Sequence, residues 1–431
     1  MGVAAFVLSS NMRAPVVPPY PNGSTEQTKT QGPPKPMNVT LGILTREAES
    51  ARKFEYIAET TLKEVNAYAA SQGSSIKFDY KLYEESTSEA ALNRLISMNK
   101  EMRVRLILGF DSLDMCMSLS YVLTNGMLFM GVPLYHCPSS ALPDDVMFRI
   151  GPNLRLVHGA IAALLKEKGI ERVLVIQSAS SWGDEAKSVM AQALGEDRVL
   201  DIRYYLEASY YAEVANYTEV AIEAGDKIRQ LSERYGQEHT AVLLMAGDEG
   251  ATILREAGKV EGLLDVQWIE IDEAGYPLSK EWDPVRSGAF NANQNVTNEA
   301  LRASLISINL ANFTDNEVFS TLQAGYLASK PPPDDRRLSL RDASFRDSVW
   351  IACLSVLKAK TTDGNALKDV VPSVADGYVG ASGEVVLDPN GDRTAVFEYH
   401  QVHQAEGSLG WVKIGTYDSL TGRVALDSPP T

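Results

Sequence analysis

The chain has 431 residues, with 40 Lys and Arg against 56 Asp and Glu, a formal net charge of −16, 45% hydrophobic residues and 22% charged residues. At about 150 residues per domain it divides into two or three domains, and it is long enough to bury a core without disulfide or metal staples. This composition excludes a wholly disordered or collagen-like chain, and the acidity argues against a dominant nucleic-acid face or a polybasic membrane patch, both of which need an excess of Lys and Arg.

The first apolar run, 3–8, is too short for a complete export signal and has no basic segment before it. It reads as the remnant of such a signal or as unrelated to one. Residues 14–37 hold seven prolines among Ser, Thr, Gln and Gly, so 1–37 is expected to be a disordered Pro/Thr-rich tail or linker. Nowhere do about 18 apolar residues run together, so no transmembrane helix is expected. Five N-x-S/T sequons, at Asn22, Asn38, Asn216, Asn295 and Asn312, are compatible with an exported chain.

From Asn38 onward, short β-rich apolar runs alternate with amphipathic segments. Strands are predicted at 39–44, 76–83, 104–108, 128–134, 173–176, 199–206, 241–245 and 266–271. Helices are predicted at about 47–71, 87–100, 113–125, 154–168, 183–195, 212–235 and 249–258. Such alternation predicts an α/β fold with a parallel sheet covered on both faces. It breaks near Asp283-Pro284. A long helical region follows at about 297–328, then another helix at 342–360. Hairpin signals come last: 383–387, the turn Asp388-Pro389-Asn390-Gly391, 394–403 and 411–417. A chain of this kind visits two lobes more than once.

Ligands of open α/β sheets sit beyond the carboxyl ends of the strands. The loops there carry small residues and hydroxyls: Gly109 to Ser112, Cys137 to Ala141, Gln177 to Asp184, and Ala246 to Gly250. Free N–H groups at helix starts attract carboxylates, whereas Asp272 and Glu273 would suit an ammonium. Together they can hold both ends of an α-amino acid. Ser and Asp before a helix are also the usual N-caps, so both roles stay open. Dinucleotide, P-loop, metalloprotease and nucleophile-elbow motifs are missing, so no enzyme and no cofactor is expected. Of the five histidines, His400 and His403 fall on a predicted strand with opposite facing, which makes them poor joint metal ligands. Asp388, Asn390 and Asp392 lack the rest of a calcium loop and read as a turn, so no metal site is expected.

Four stretches carry a family likeness. They are Gly131-Val132-Pro133-Leu134 with Pro138-Ser139-Ser140 and Phe148-Arg149-Ile150-Gly151-Pro152; Lys168 to Ile176 with Trp182-Gly183; Gly383 to Arg393; and Val412 to Asp418. In this order they resemble the type I periplasmic binding proteins, in particular the branched-chain amino-acid class of ABC-transporter solute-binding proteins. The same lobes form the ligand-binding regions of some receptors.

The resemblance implies two doubly wound lobes joined by three crossovers, with a ligand cleft between them that closes by a hinge. Lobe 1 would be 38–152 plus 286–365, and lobe 2 would be 153–285 plus 366–420, with 421–431 a C-terminal tail. It implies that Ser112, Ser139, Ser140 and the backbone at Ala141 hold the ligand carboxylate. Ala141 stands where the family often has a Thr, so one hydroxyl is lost. Asp272 would pair with the ammonium, Trp182 would wall the ligand, and Asp248 would point into the space left by an absent aromatic. Cys116 and Cys137 would lie near adjacent strand ends, within reach of a disulfide. The implied protein is an extracellular or cell-envelope solute-binding protein for a small zwitterion, most simply an amino acid, partnered by an ABC permease. A ligand-sensing receptor head and an amide or urea binder are the alternatives.

Overall fold

The structure, a computed structural model, describes residues 37–46, 48–109, 112–131, 147–151, 154–179, 181–205, 216–246, 249–271, 294–310, 316–332, 336, 338–405 and 408–427. The expected 1–37 tail therefore lies almost wholly outside the described residues. Two compact units emerge. The first holds the described residues of 37–131, 147–151 and 316–393, and the second those of 154–310 and 394–427.

In the first unit, strands β1 (Met37–Thr45), β2 (Ile76–Glu84), β3 (Leu106–Leu108), β4 (Leu128–Gly131) and β5 (Met147–Arg149) form one sheet in the order β2-β1-β3-β4-β5. Every pair in it is parallel. Helices α1 (Ala48–Ser71), α2 (Ser88–Met102) and α3 (Ser112–Thr124) connect the strands. The central strands carry unbroken apolar runs because both faces are covered.

The second unit repeats the plan. Its parallel part contains β6 (Arg172–Ser178), β7 (Val199–Tyr204), β8 (Thr240–Met245), β9 (Gln267–Ile271) and β10 (Ile306–Leu310), in the order β7-β6-β8-β9-β10. Helices α4 (Leu154–Glu167), α5 (Ser181–Leu194), α6 (Tyr217–Tyr235), α7 (Gly250–Ala257) and α8 (Gln294–Arg302) belong to it. Along β6, Val173 and Val175 join one buried cluster with α4 and α5, while Leu174 and Ile176 join another with α6 and α7. Alternate side chains thus fill two cores, one on each face.

The first unit is completed by α9 (Glu317–Ala328), α10 (Leu340–Ala359), α11 (Gly364–Lys368) and α12 (Val371–Ala375), and by a small sheet of β11 (Tyr378–Gly380), β12 (Gly383–Leu387) and β13 (Arg393–Thr394). A capping box at Ser339 and Asp342 starts α10, which is buried along nearly its whole length. Phe345 of α10 stacks on Phe54 of α1 with ring centroids 4.0 Å apart. Arg346 donates to Glu64 of α1 at 2.7 Å. The chain ends in the second unit with β14 (Val396–Ala405), β15 (Ser408–Asp418) and β16 (Arg423–Leu426), which extend its sheet antiparallel from β10.

Three expectations are corrected. The region read as one long helix over 297–328 is helix, strand and helix. Ile306–Leu310 is β10, and it finds hydrogen-bonding partners on both sides, in β9 and β14. The residues 294–310, expected in the first lobe, therefore belong to the second unit, and 366–393, expected in the second lobe, pack in the first. The expected tail from 421 instead includes β16, which folds back on β15 through the turn at Leu420-Thr421-Gly422.

Buried charge ties the ends of the first unit together. Among the described residues the chain passes between units three times: at 151–154, 310–316 and 393–394. Arg149, before the first passage, pairs with Asp392, before the third, at 2.6 Å, and both are about 97% buried. The Arg149 amide also donates to the Gly391 carbonyl. Next to it, the Arg393 guanidinium donates to the carbonyls of Ile150, Ser382 and Glu384 and to the Ser382 hydroxyl. Asp347 of α10 accepts the amides of Ala381 and Ser382, both at 2.8 Å, and the Tyr378 and Ser382 hydroxyls. Burial lowers the Arg393 pKa to about 10, with the Asp347 charge opposing that fall.

Removing one partner from a buried pair leaves an uncompensated charge and costs about 3–5 kcal/mol. Asp392→Ala is expected to lose about that much stability in urea unfolding of the full chain, and Asp392→Asn less. A midpoint equal to wild type in both would refute the clamp. A second prediction concerns His158 of α4, which is fully buried and whose pKa burial lowers to about 3. As pH falls, the unfolded chain takes up this proton first. The associated stability is complete above about pH 6.5 and is lost as pH drops toward 3. Between pH 7 and 4 the melting midpoint of wild type should fall more steeply than that of His158→Phe; equal slopes would remove His158 from the acid response.

Candidate functional site

In each unit the strand order reverses beside the first strand, between β1 and β3 and between β6 and β8. Ligands of such sheets lie in the crevice at the carboxyl end of this switch. The two crevices are described separately.

In the first unit, β1 ends at Thr45, which is 4% exposed and whose hydroxyl has no hydrogen-bond partner among the described residues. Arg46 follows and bonds the hydroxyl of Ser88, the first residue of α2. Past β3 the chain turns at Gly109, with φ +87°. A Cβ there would stand 2.9 Å from the Leu44 carbonyl, so only glycine lets this loop lie against the end of β1.

In the second unit, Gln177 at the end of β6 is fully buried, and neither polar atom of its side-chain amide has a hydrogen-bond partner among the described residues. A Cβ on Gly183, the third residue of α5, would overlap the Gln177 Oε1. Gly183 is thus the residue that allows α5 to start directly over this amide. On the other face, Tyr204 ends the edge strand β7 and reaches across β6. Its hydroxyl donates to Glu249 Oε1 at 2.7 Å and lies 3.4 Å from the Met245 carbonyl of β8. The ring of Tyr217, at the start of α6, meets Tyr204 edge-on with centroids 5.9 Å apart. Burial and, after it, the Glu249 charge raise the Tyr217 pKa.

Of the residues expected to bind ligand, Ser112 is the first residue of α3 and Trp182 the second of α5, and the description there does not extend to their side chains. Ser139, Ser140, Ala141, Asp248 and Asp272 lie outside the described residues, as does Cys137 of the expected cysteine pair. Sequence reading passed over Tyr204 and Tyr217 as contributors to these crevices, and held Gln177 and Glu249 only as members of the strand-end loops. Tyr204 shares the face of Ile202 and so reads as core; only its partner, 45 positions later, shows that it crosses the switch. His400 and His403 both lie on β14, and burial lowers the His400 pKa. Among the described residues no group of three His, Cys, Asp or Glu is placed to hold a metal ion, and no helix is long and apolar enough to cross a membrane.

Comparison with known proteins adds the following. Residues 58–404 match the receptor family ligand binding region. No curated protein matches. Similar solved structures include an ABC transporter substrate-binding protein from Desulfitobacterium hafniense in complex with Leu, at 14% identity and TM-score 0.57, covering 87% of this chain and 100% of that one. A second structure of an ABC transporter substrate-binding protein from that organism shares 15% identity at TM-score 0.59, with the same coverage. A protein from Rhodospirillum rubrum, provisionally described as a branched-chain amino acid ABC transporter, shares 18% identity at TM-score 0.60 over 87% of this chain and 99% of that one. At these identities the likeness is one of fold.

Overpacking a tight contact costs about 1–3 kcal/mol. Gly183→Ala should destabilise the chain by that order, and adding Gln177→Ala should restore most of it in a double-mutant cycle by thermal or urea unfolding. Additive losses would show that the two residues are not in contact.

Proposed function

Because the chain belongs to the receptor family ligand binding region family, matched over residues 58–404, we propose that it is a non-catalytic solute-binding protein that captures a small zwitterion, an amino acid, and releases it to an ABC permease. The observation that carries this reading is the family match, and the repeated switch crevice in each unit supports it. In this reading the first unit holds the ligand carboxylate through Ser112, Ser139, Ser140 and the backbone at Ala141, where free amides at strand and helix ends favour an anion. The second unit holds the ammonium through Asp272, with Trp182 as a wall and Asp248 facing the side chain. Charge-assisted hydrogen bonds at both ends orient the solute, and hinge closure removes it from water. No cofactor, metal or reaction is needed. The protein works outside the cytoplasm, at the cell envelope, where a permease can receive the solute.

The receptor members for which the family is named favour a second reading, a sensing head that reports the same ligand to a separate membrane partner. Ligand chemistry is the same in both, so binding is tested first. Ligand that binds only the folded chain raises the melting midpoint, by about 2.7 kcal/mol of stability at a hundred times Kd. In a thermal-shift screen, amino acids should raise the midpoint and Asp272→Ala should weaken binding by at least about tenfold, the scale of one charge-assisted bond. Shifts with amides or urea alone, or unchanged affinity in Asp272→Ala, would remove the amino-acid reading.

A further inference from the structure

Glu249 combines features that no capping or packing role explains. It occupies the N-cap position of α7, yet its side chain makes no capping hydrogen bond. Residue 249 is only partly exposed, and among the described residues its carboxylate accepts one hydrogen bond, from the Tyr204 hydroxyl. Among the described residues no Lys, Arg or His pairs with it. Arg203, next to Tyr204 in sequence, points to the other face of the strand and pairs with Asp184. A half-buried carboxylate without a cation is unusual, because withdrawing a charge from water is costly unless an opposite charge compensates it.

The described neighbours of Glu249 and Tyr204 include an acceptor and aromatic rings. The Met245 carbonyl lies beside the Tyr204 hydroxyl. The rings of Tyr204 and Tyr217 meet edge-on there, and aromatic faces attract cations. The Tyr204 hydroxyl donates to Glu249. Glu249 follows the carboxyl end of β8, one of the two strands at the switch, and ligands of open α/β sheets sit beyond such strand ends. A net charge of −16 raises the local concentration of cationic solutes near the chain.

We propose that Glu249, held in place by Tyr204 and flanked by Tyr217, is the specificity-determining group of the second unit, and that it selects solutes carrying an alkylammonium or guanidinium group on their side chain. This rests on the solute-capture reading above and narrows it from amino acids in general to basic ones. A neutral apolar side chain would leave the carboxylate desolvated and unpaired, and an anionic one would be repelled.

The test is calorimetric titration of the full chain with L-lysine, L-arginine, L-norleucine and putrescine, on wild type, Glu249→Gln and Tyr204→Phe, each with a melting midpoint to confirm folding. Lysine should bind at least about tenfold more tightly than norleucine, which has the same chain without the amine. Glu249→Gln should abolish that preference by weakening lysine binding at least about tenfold without weakening norleucine binding, and Tyr204→Phe should weaken lysine binding by a smaller factor. Norleucine binding as tightly as lysine, or lysine affinity unchanged in Glu249→Gln, would overturn the assignment and leave solute capture intact. Putrescine binding that depends on Glu249, with no amino acid bound, would sustain the cation site and reject the zwitterion reading. No binding of any of the four would overturn both.

Discussion

The structure depends on a buried guanidinium clamp at the places where the chain changes units. Arg149 and Asp392 form an ion pair away from water, and Arg393 saturates the carbonyls of Ile150, Ser382 and Glu384. Residues 243 positions apart are held as one piece of backbone. A guanidinium suits this role because its planar fork of donors can serve several acceptors at once, whereas an ammonium cannot match that geometry. Asp347 then fixes the β11–β12 turn to α10, and Arg346 fixes α10 to α1. The order of the first unit thus passes from its central helix to the exits of the chain through charge rather than through apolar packing alone. Such a network is unforgiving: complete, it is rigid, and missing one member, it strands a charge in the interior.

The two crevices differ in chemistry although the sheets share one strand order. In the first unit the polar groups at the switch are a hydroxyl, an arginine and the start of α3. In the second they are a carboxylate, a carbonyl and tyrosine rings around Tyr204. The two crevices thus differ in the side chains that reach them, while in each sheet the strands and following helices run in the direction that a switch crevice requires.

Much of this architecture is legible in the sequence. The alternation of apolar runs with amphipathic segments placed β1, β2, β6, β8, β9 and the helices between them within a few residues, because a parallel strand buried on both faces must be continuously apolar. The family stretches, including Phe148 to Pro152 and Gly383 to Arg393, fall on the clamp itself. What failed was the reading of Ile306–Leu310. Five residues between two helices carry too little periodicity to separate a strand from a helical turn. The misplacement of 294–310 goes with it, since the position of β10 decides which sheet the chain is in after α8.

The sequence by itself determined the class of the fold and the repetition of its plan. Those features depend on local periodicity, on turn residues and on order along the chain, all of which act over a few neighbours. Tertiary structure alone decided that Arg149 meets Asp392, that Tyr204 crosses β6 to reach Glu249, and that Gly183 must lack a side chain above Gln177. Each joins residues that are distant in the chain or placed on different elements. Pairings of that kind are set by which strands become neighbours in a sheet, and nothing in a local pattern records that choice.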